Sequence, residues 1–242
     1  MIFNLFKSKP NLKELIPDGF VDIHSHILPA IDDGAKDVEE SIKLISEMRK
    51  IGFLKIIGTP HTYPGLYENT NESIKESYKK LINKFNENNT IKYASEYLIC
   101  QDLIYKAEEK KLLTIDEKHV LVEFSYMDKP LMLYEILFKL IINGFIPVLA
   151  HPERYRYLFN NKKEYLKLKK AGCKFQINLL STVGYYGNDV SKICDYLLEK
   201  NYVDFCGSDI HSIRHIEKFS LKLKIKNINE LESVIESNLN FK

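Results

Sequence analysis

Short β-rich runs alternate with helical patterns along almost the whole of this chain, and that alternation restricts it to α/β architectures. The runs are Phe20 to His24, Phe53 to Thr59, Ile91 to Leu98, His119 to Phe124, Phe145 to Ala150, Lys174 to Leu179 and Tyr202 to Cys206. Between them, apolar residues return every three or four positions in Val38 to Lys50, Asn71 to Glu87, Lys129 to Asn143, Lys162 to Ala171 and Asp189 to Lys200. A repeat of about thirty residues is the length of a βαβ unit. Strands joined this way run parallel with both faces covered, which accounts for apolar runs such as Ile146-Pro147-Val148-Leu149-Ala150. Gly52, Gly144 and Gly172 each close a helical pattern just before the next run, as helix C-termini do. The runs predict a single distorted (β/α)7 TIM-like barrel over residues 20–242, with residues 1–19 as an N-terminal extension and Leu221 to Lys242 as a final helical segment. No composition break or Ser/Gly linker marks a second domain.

Charge and cysteine usage exclude several function classes. Lys+Arg 35 against Asp+Glu 33 leaves a formal charge of only +2, so there is no basic excess to bind nucleic acid by counterion release. The apolar run Ile136 to Ile142 is broken by Lys139 and falls far short of the ~20 residues of a membrane span. Met1 to Pro10 carries Phe3, Leu5 and Phe6 but no continuous apolar stretch and no small-residue cleavage site, which predicts a cytoplasmic protein. Cys100, Cys173, Cys194 and Cys206 form no C-x-x-C pair and read as buried reduced thiols. A cysteine-dependent phosphatase needs an arginine six positions after its nucleophile; here those positions are Lys106, Leu179, Lys200 and Ser212. No phosphate-cradling G-x-x-x-x-G-K-[ST] loop or strand-linked G-x-G-x-x-G is present.

The chemistry lies at the ends of the runs. The first ends in Asp22-Ile23-His24-Ser25-His26, where strand alternation puts His24 and His26 on one face. The second ends in Thr59-Pro60-His61, the third contains Glu96, and the fourth ends in Glu123-Phe124-Ser125. The fifth leads into His151-Pro152-Glu153-Arg154 and the seventh into Gly207-Ser208-Asp209-Ile210-His211. In a barrel of parallel strands all of these open onto one rim. Five histidines and three carboxylates exceed the needs of one ion, so the rim predicts two or three divalent metals bridged by a carboxylate, with manganese favoured and iron or zinc also suited. Arginine is scarce, and Arg154 stands beside this cluster as a phosphate clamp, since a planar guanidinium grips two phosphate oxygens at once. The competing role for Arg154 is a surface ion pair with Glu153. Arg156 reads as structural or solvated, His215 as solvent-facing, and His119, at the far end of its strand, as structural.

The order H-x-H, T-P-H, S-E, V-E-F, H-P-E-R and S-D-x-H resembles the polymerase and histidinol phosphatase (PHP) superfamily. Asp22 to Gly34, Thr59-Pro60-His61-Thr62-Tyr63 and His151-Pro152-Glu153-Arg154-Tyr155 resemble more closely its branch of metal-dependent protein-tyrosine phosphatases from bacterial capsule and exopolysaccharide loci. The resemblance spans about residues 19 to 215. It implies that His24, His26, Glu123 and Asp209 hold one ion, that Glu123 bridges to a second completed by Glu96 and His151, and that His61 and His211 hold a third. Asp33, before Gly34, is the implied acidic helper of the third ion, with Asp32 the competing choice. Arg154, Glu123 and His61 are then the catalytic candidates, with Arg154 and Arg214 as substrate-binding residues. Arg214 departs from the pattern, because the resembled proteins space their second arginine further from S-D-x-H.

The implied reaction is hydrolysis of phosphotyrosine by a hydroxide bridging the metals. Its implied partner is the tyrosine-rich tail of a membrane-anchored bacterial kinase that controls polysaccharide export. Tyr63-Pro64-Gly65-Leu66-Tyr67 could pack on the substrate's phenyl ring or serve as ordinary loop packing. A small-molecule phosphatase of the histidinol-phosphate type and a metal-holding regulator without turnover remain alternatives on sequence alone.

Overall fold

A computed structural model describes residues 8–85 and 89–241. The elements follow in chain order as β1 (Phe20–Ser25), α1 (Val38–Arg49), β2 (Phe53–Gly58), β3 (His61–Thr62), α2 (Asn71–Phe85), β4 (Ile91–Tyr93), β5 (Glu96–Leu98), α3 (Asp102–Glu108) and β6 (His119–Glu123). They continue as α4 (Leu133–Ile142), β7 (Ile146–Ala150), α5 (Lys163–Lys170), β8 (Lys174–Asn178), α6 (Asn188–Glu199), β9 (Phe205–Gly207), α7 (Ile213–Glu217) and α8 (Ile228–Ser237). Every ladder is parallel, as the alternation predicts.

The single closed barrel is not formed. The strands divide into a three-stranded sheet, β1-β2-β4, and a six-stranded sheet, β3-β5-β6-β7-β8-β9. The second run together with the His61 beyond it, and the third run, each span both sheets. One breaks at Thr59-Pro60, where proline has no N–H to give a ladder, so His61 restarts the chain as β3. The other breaks after Tyr93, and Ala94 donates its N–H to the Gly58 carbonyl while Glu96 donates to that of Pro60. At the opposite edges, β1 and the chain following β9 meet at an isolated Ser25–Ile210 bridge, with the Asp209 N–H donating to the His24 carbonyl and the His26 N–H to that of Ile210. The helix α4 begins at Leu133, later than its pattern, because Pro130 disfavours helical backbone at Lys129. Strand β9 starts at Phe205 and not at Tyr202, with Asn201 in the left-handed region and Asp204 caught by its N–H on the Phe175 carbonyl. The short helices α3 and α7 carry too little periodicity to stand out in sequence, and the final segment is helical only over α8 before a 3-10 turn.

All six residues of β1 are buried, because helices cover one face and the opposite face turns inward to the other strands. One apolar cluster joins β1 and β2 to α1, α2, α6 and α8, and a second joins β6, β7 and β8 to α3, α4 and α5. The described part of the N-terminal extension is built into the first cluster. Leu12 and Ile16 are buried there, and the Leu12 N–H donates to Leu221 O at 3.0 Å. Phe3, Leu5 and Phe6 lie outside the described residues, as does Glu87. Leu12→Ala is expected to lower the unfolding free energy by about 2–5 kcal/mol in a urea titration, the range for a buried leucine; a loss below about 1 kcal/mol would show that the extension does not stabilise the core.

Candidate metal centre

Parallel strands deliver the predicted histidines and carboxylates to one place. His24 is the penultimate residue of β1, His26 follows the strand, His61 and Glu96 open the hydrogen-bonded neighbours β3 and β5, and Glu123 closes β6. His151 follows β7, while Asp209 and His211 follow β9. Glu96 is the residue they surround. Its Oε2 lies 3.2 Å from His24 Nε2, 3.5 Å from His26 Nε2 and 3.2 Å from His61 Nδ1, and its Oε1 lies 3.1 Å from His151 Nε2. Glu123 Oε1 approaches His61 Nδ1 at 2.8 Å. Asp209 Oδ1 stands 3.3 Å from both His24 and His26 Nε2, and 3.5 Å from His211 Nδ1. Asp33 Oδ1 faces His211 Nε2 at 3.4 Å and His61 Nε2 at 3.6 Å.

Four overlapping groups have donor atoms within 4.8 Å of one another: His26, Asp33, His61 and His211; His24, His151 and Asp209; His24, His26 and Glu96; and His61, Glu96 and Glu123. The geometry therefore shares His24, His26, His61 and Glu96 between groups, with Glu96 more central than Glu123. In the last group, His61 Nδ1, Glu96 Oε2 and Glu123 Oε1 are buried and make no hydrogen bond, although they lie within ion-pair distance. A buried polar atom left unpaired costs about 1–3 kcal/mol. Three such atoms converging on one point fit a divalent cation, which accepts nitrogen and oxygen lone pairs together.

The surrounding hydrogen bonds prepare the histidines for that role. A carboxylate only accepts, so His26 donates its Nδ1–H to Asp32 Oδ2 at 2.7 Å and leaves Nε2 bare toward the cluster. Gln176 spends its amide N–H on Ile177 O, so its Oε1 accepts from His24 Nδ1 at 2.8 Å, and His24 Nε2 is likewise bare. His211 Nδ1 lies 2.9 Å from the Asp209 carbonyl, which turns its Nε2 toward Asp33. These contacts separate the two neighbouring aspartates. Asp33 faces the cluster, whereas Asp32 stands behind His26 and also accepts the Gly34 and His61 N–H groups.

The carboxylates of the cluster also attract protons, with which a cation would compete for the histidine nitrogens. Burial opposes protonation of His24, but Glu96 and Asp209 outweigh it and raise its pKa to about 10. Burial, then Arg154, push His151 down to about 4, so it stays neutral, with Nε2 toward Glu96 and Nδ1 3.4 Å from the Tyr126 hydroxyl. Burial and the neighbouring Glu96 raise Glu123 to about 6. His151 and Asp209 both hold left-handed backbone, with φ of 35° and 52°, a strained conformation that functional sites retain when neighbours impose it.

Gly34 is required where it stands. A Cβ there would lie 2.0 Å from the His26 carbonyl oxygen. Gly34→Ala is expected to displace the turn that carries Asp32 and Asp33 and to weaken metal retention about 10–100-fold, the usual effect of disturbing residues behind a metal ligand. Equilibrium dialysis would check this, and wild-type retention would show that the turn yields without moving the ligands.

Arg154 does not pair with Glu153. Its guanidinium donates to Asp209 Oδ2 at 2.7 Å, and its Cζ lies 4.1 Å from the Tyr186 ring centre and 5.0 Å from that of Tyr126. Asn178 Nδ2 donates to the same Asp209 oxygen at 2.9 Å. Asp209 thus turns one oxygen to the histidines and the other to the arginine. Glu153 points into the protein and accepts from Asn178 N–H and Ser181 Oγ. His215 is not simply solvent-facing either, since its Nδ1 accepts the His211 N–H at 3.2 Å. Arg214 is exposed on α7 and makes no side-chain contact among the described residues, and His119 pairs with Asp116 at the other end of β6 from Glu123. Tyr67 stacks on His61 with ring centres 5.3 Å apart, and Tyr63 pairs with it across the loop. The four cysteines are free thiols, three of them buried. Gln176, Asn178, Tyr126 and Tyr186 were not legible as site residues in the sequence. Only the inward face of β8 signals Gln176 and Asn178, as polar residues inside an apolar strand.

Comparison with known proteins places relatives beside this geometry. The family described as capsular polysaccharide synthesis, CpsB/CapC, matches residues 20–229. The chain is 31% identical over 198 residues to tyrosine-protein phosphatase YwqE of Bacillus subtilis (strain 168), covering 80% of this chain and 78% of the relative. It is 33% identical over 202 residues to tyrosine-protein phosphatase CpsB of Streptococcus pneumoniae, covering 80% and 83%. A crystal structure from work on YwqE from Bacillus subtilis and CpsB from Streptococcus pneumoniae, described as unique metal-dependent tyrosine phosphatases, superposes with a TM-score of 0.76 at 28% identity, over 88% of this chain and 86% of that one. Histidinol phosphate phosphatase from Lactococcus lactis subsp. lactis Il1403 shares the fold with a TM-score of 0.55 at 13% identity, over 90% and 93% of the two chains.

Proposed function

We propose that this chain, which belongs to the CpsB/CapC capsular polysaccharide synthesis family, is a metal-dependent tyrosine-protein phosphatase. The observation that carries the reading is the meeting of His61 Nδ1, Glu96 Oε2 and Glu123 Oε1, buried and unpaired, beside an arginine held by Asp209. His24, His26, Asp33, His61, Glu96, Glu123, His151, Asp209 and His211 would hold two or three divalent ions, with manganese the first to test. Bound ions supply Lewis acidity and lower the pKa of water enough to make it a nucleophile near neutral pH.

The chain's own groups do the rest. Arg154 binds the non-bridging oxygens of the phosphoryl group, and Asp209 together with the Tyr126 and Tyr186 rings holds its guanidinium at one angle. Gln176 and Asp32 fix which nitrogen His24 and His26 present. A phenolate leaves with a pKa of about 10, so the reaction needs no strong general acid. The substrate is the phosphotyrosine tail of a membrane-anchored kinase controlling capsule export, reached from the cytoplasm. Among the described residues no helix is long and apolar enough to cross a membrane.

The test is turnover of a phosphotyrosyl peptide, a phosphoseryl peptide and histidinol phosphate, with manganese and after chelation. Phosphotyrosine turnover that disappears on chelation and returns with manganese is expected. Preferential turnover of histidinol phosphate would transfer the function to a small-molecule phosphatase, and metal retention without turnover would leave a regulator.

A further inference from the structure

We propose that the small cavity beside Arg154 is a subsite for a second acidic group on the peptide substrate, and that Arg156 is the residue that binds it. This rests on the phosphotyrosine reading above and specifies which phosphopeptides the site takes. The cavity has a volume of about 190 Å³ and is lined by Tyr126, Arg154, Arg156, Tyr186 and Val190. At about 30 Å³ per water that is room for about six waters, enough for one carboxylate or phosphate group with part of its hydration.

Its charge is one-sided. Two of the four arginines in a chain whose positive charge is mostly lysine line this one cavity, and no carboxylate lines it. Arg154 is already engaged, with Asp209 taking its NH1 and aromatic rings on either side. Arg156 is exposed and, among the described residues, its side chain makes no hydrogen bond, ion pair or ring contact. Asp189, next in sequence to the cavity-lining Val190, feels the charge of Arg156 but pairs with Lys192.

The backbone holds the two arginines together. Tyr155 between them is fully buried, donates its hydroxyl to Ala150 O and accepts the Phe124 N–H. With Tyr155 locked inward, the residues on either side of it are carried to the rim. A guanidinium in that position offers a planar pair of donors to a carboxylate or a phosphate, while Tyr126 and Tyr186 supply apolar walls for the side chain bearing it. The anion that suits the subsite is therefore an aspartate, glutamate or second phosphotyrosine close in sequence to the one being hydrolysed.

The experiment uses the manganese-loaded full chain, wild type and Arg156→Ala, with phenyl phosphate and three phosphotyrosyl peptides. One peptide has neutral flanking residues, one has a flanking glutamate, and one has a second phosphotyrosine. For wild type, kcat/KM on at least one acidic peptide is expected to exceed that on the neutral peptide about tenfold, the worth of one charge-assisted hydrogen bond at a partly exposed site. In Arg156→Ala that ratio should fall to about 1, mainly through KM, while Arg156→Lys should restore part of it. The arm that loses its advantage identifies the anion as carboxylate or phosphate. Equal kcat/KM on all three peptides in wild type, or an advantage that survives in Arg156→Ala, overturns the subsite when phenyl phosphate is turned over normally. Absence of turnover on phenyl phosphate and on every peptide overturns the phosphatase reading, and the subsite with it.

Discussion

Glu96→Gln is expected to remove metal binding and phosphotyrosine turnover together, with kcat/KM falling more than about 10³-fold, beyond the usual cost of losing one electrostatic contact to the transition state. The reason is position. Glu96 faces His24, His26, His61 and His151 at once, and its Oε2 is one of the buried atoms without a hydrogen-bond partner. An amide has nearly the same volume but lacks the negative charge that offsets the cations, and its N–H₂ would point a donor at a bare histidine nitrogen. The strand itself should survive, because β5 is held by backbone pairing to β3 and β6. Metal per chain after gel filtration, kcat/KM on a phosphotyrosyl peptide and circular dichroism separate loss of the centre from loss of the fold. A folded variant that keeps its full complement of ions would show that Glu96 is not the carboxylate around which they are organised.

Arg154→Ala is expected to act differently, with kcat/KM lowered about 10²- to 10³-fold while the ions are retained. Arg154 belongs to none of the four candidate metal groups, and its guanidinium reaches the centre through Asp209 Oδ2. Asn178 still donates to that oxygen in the variant, so Asp209 keeps one of its two anchors. Arg154→Lys should recover less than a tenth of the loss, because an ammonium reproduces the charge but neither the paired donors nor the stacking between Tyr126 and Tyr186. Near-normal activity in Arg154→Ala would move phosphate binding elsewhere on the rim, and the exposed Arg214 would be the next residue to replace. A parallel loss of metal would instead make Arg154 a support for Asp209 and not a substrate contact.

Most of the cluster was legible because its members stand at or just beyond the C-terminal end of a β-rich run, although His61 and Glu96 prove to open the short strands β3 and β5. Once the strands are parallel, their ends must share a side, so His24, His61, Glu96, Glu123, His151 and Asp209 converge without any knowledge of loop geometry. Glu96 shows where that logic stops. Strand position places it at the rim, but its meeting with four histidines depends on the break after Tyr93 that moves it from one sheet to the other. The same holds for Asp32 and Asp33. Adjacent in sequence and identical in chemistry, they differ only in the direction the turn gives each side chain, and Gly34, packed against the His26 carbonyl, sets that direction.

What the sequence by itself determined is the periodicity and chemistry of the chain: alternating strands and helices, parallel pairing, and nitrogen and oxygen ligands at the strand ends. These follow from local rules of side-chain alternation and chain connection, which are written residue by residue. Tertiary structure alone decided that the strands form two sheets and not one closed ladder, that Arg154 answers Asp209 and not its neighbour Glu153, and that the exposed Arg156 lines the same surface cavity as Arg154. Each of those outcomes depends on groups far apart in the chain competing for the same space and the same hydrogen bonds, and that competition is resolved only when the elements pack.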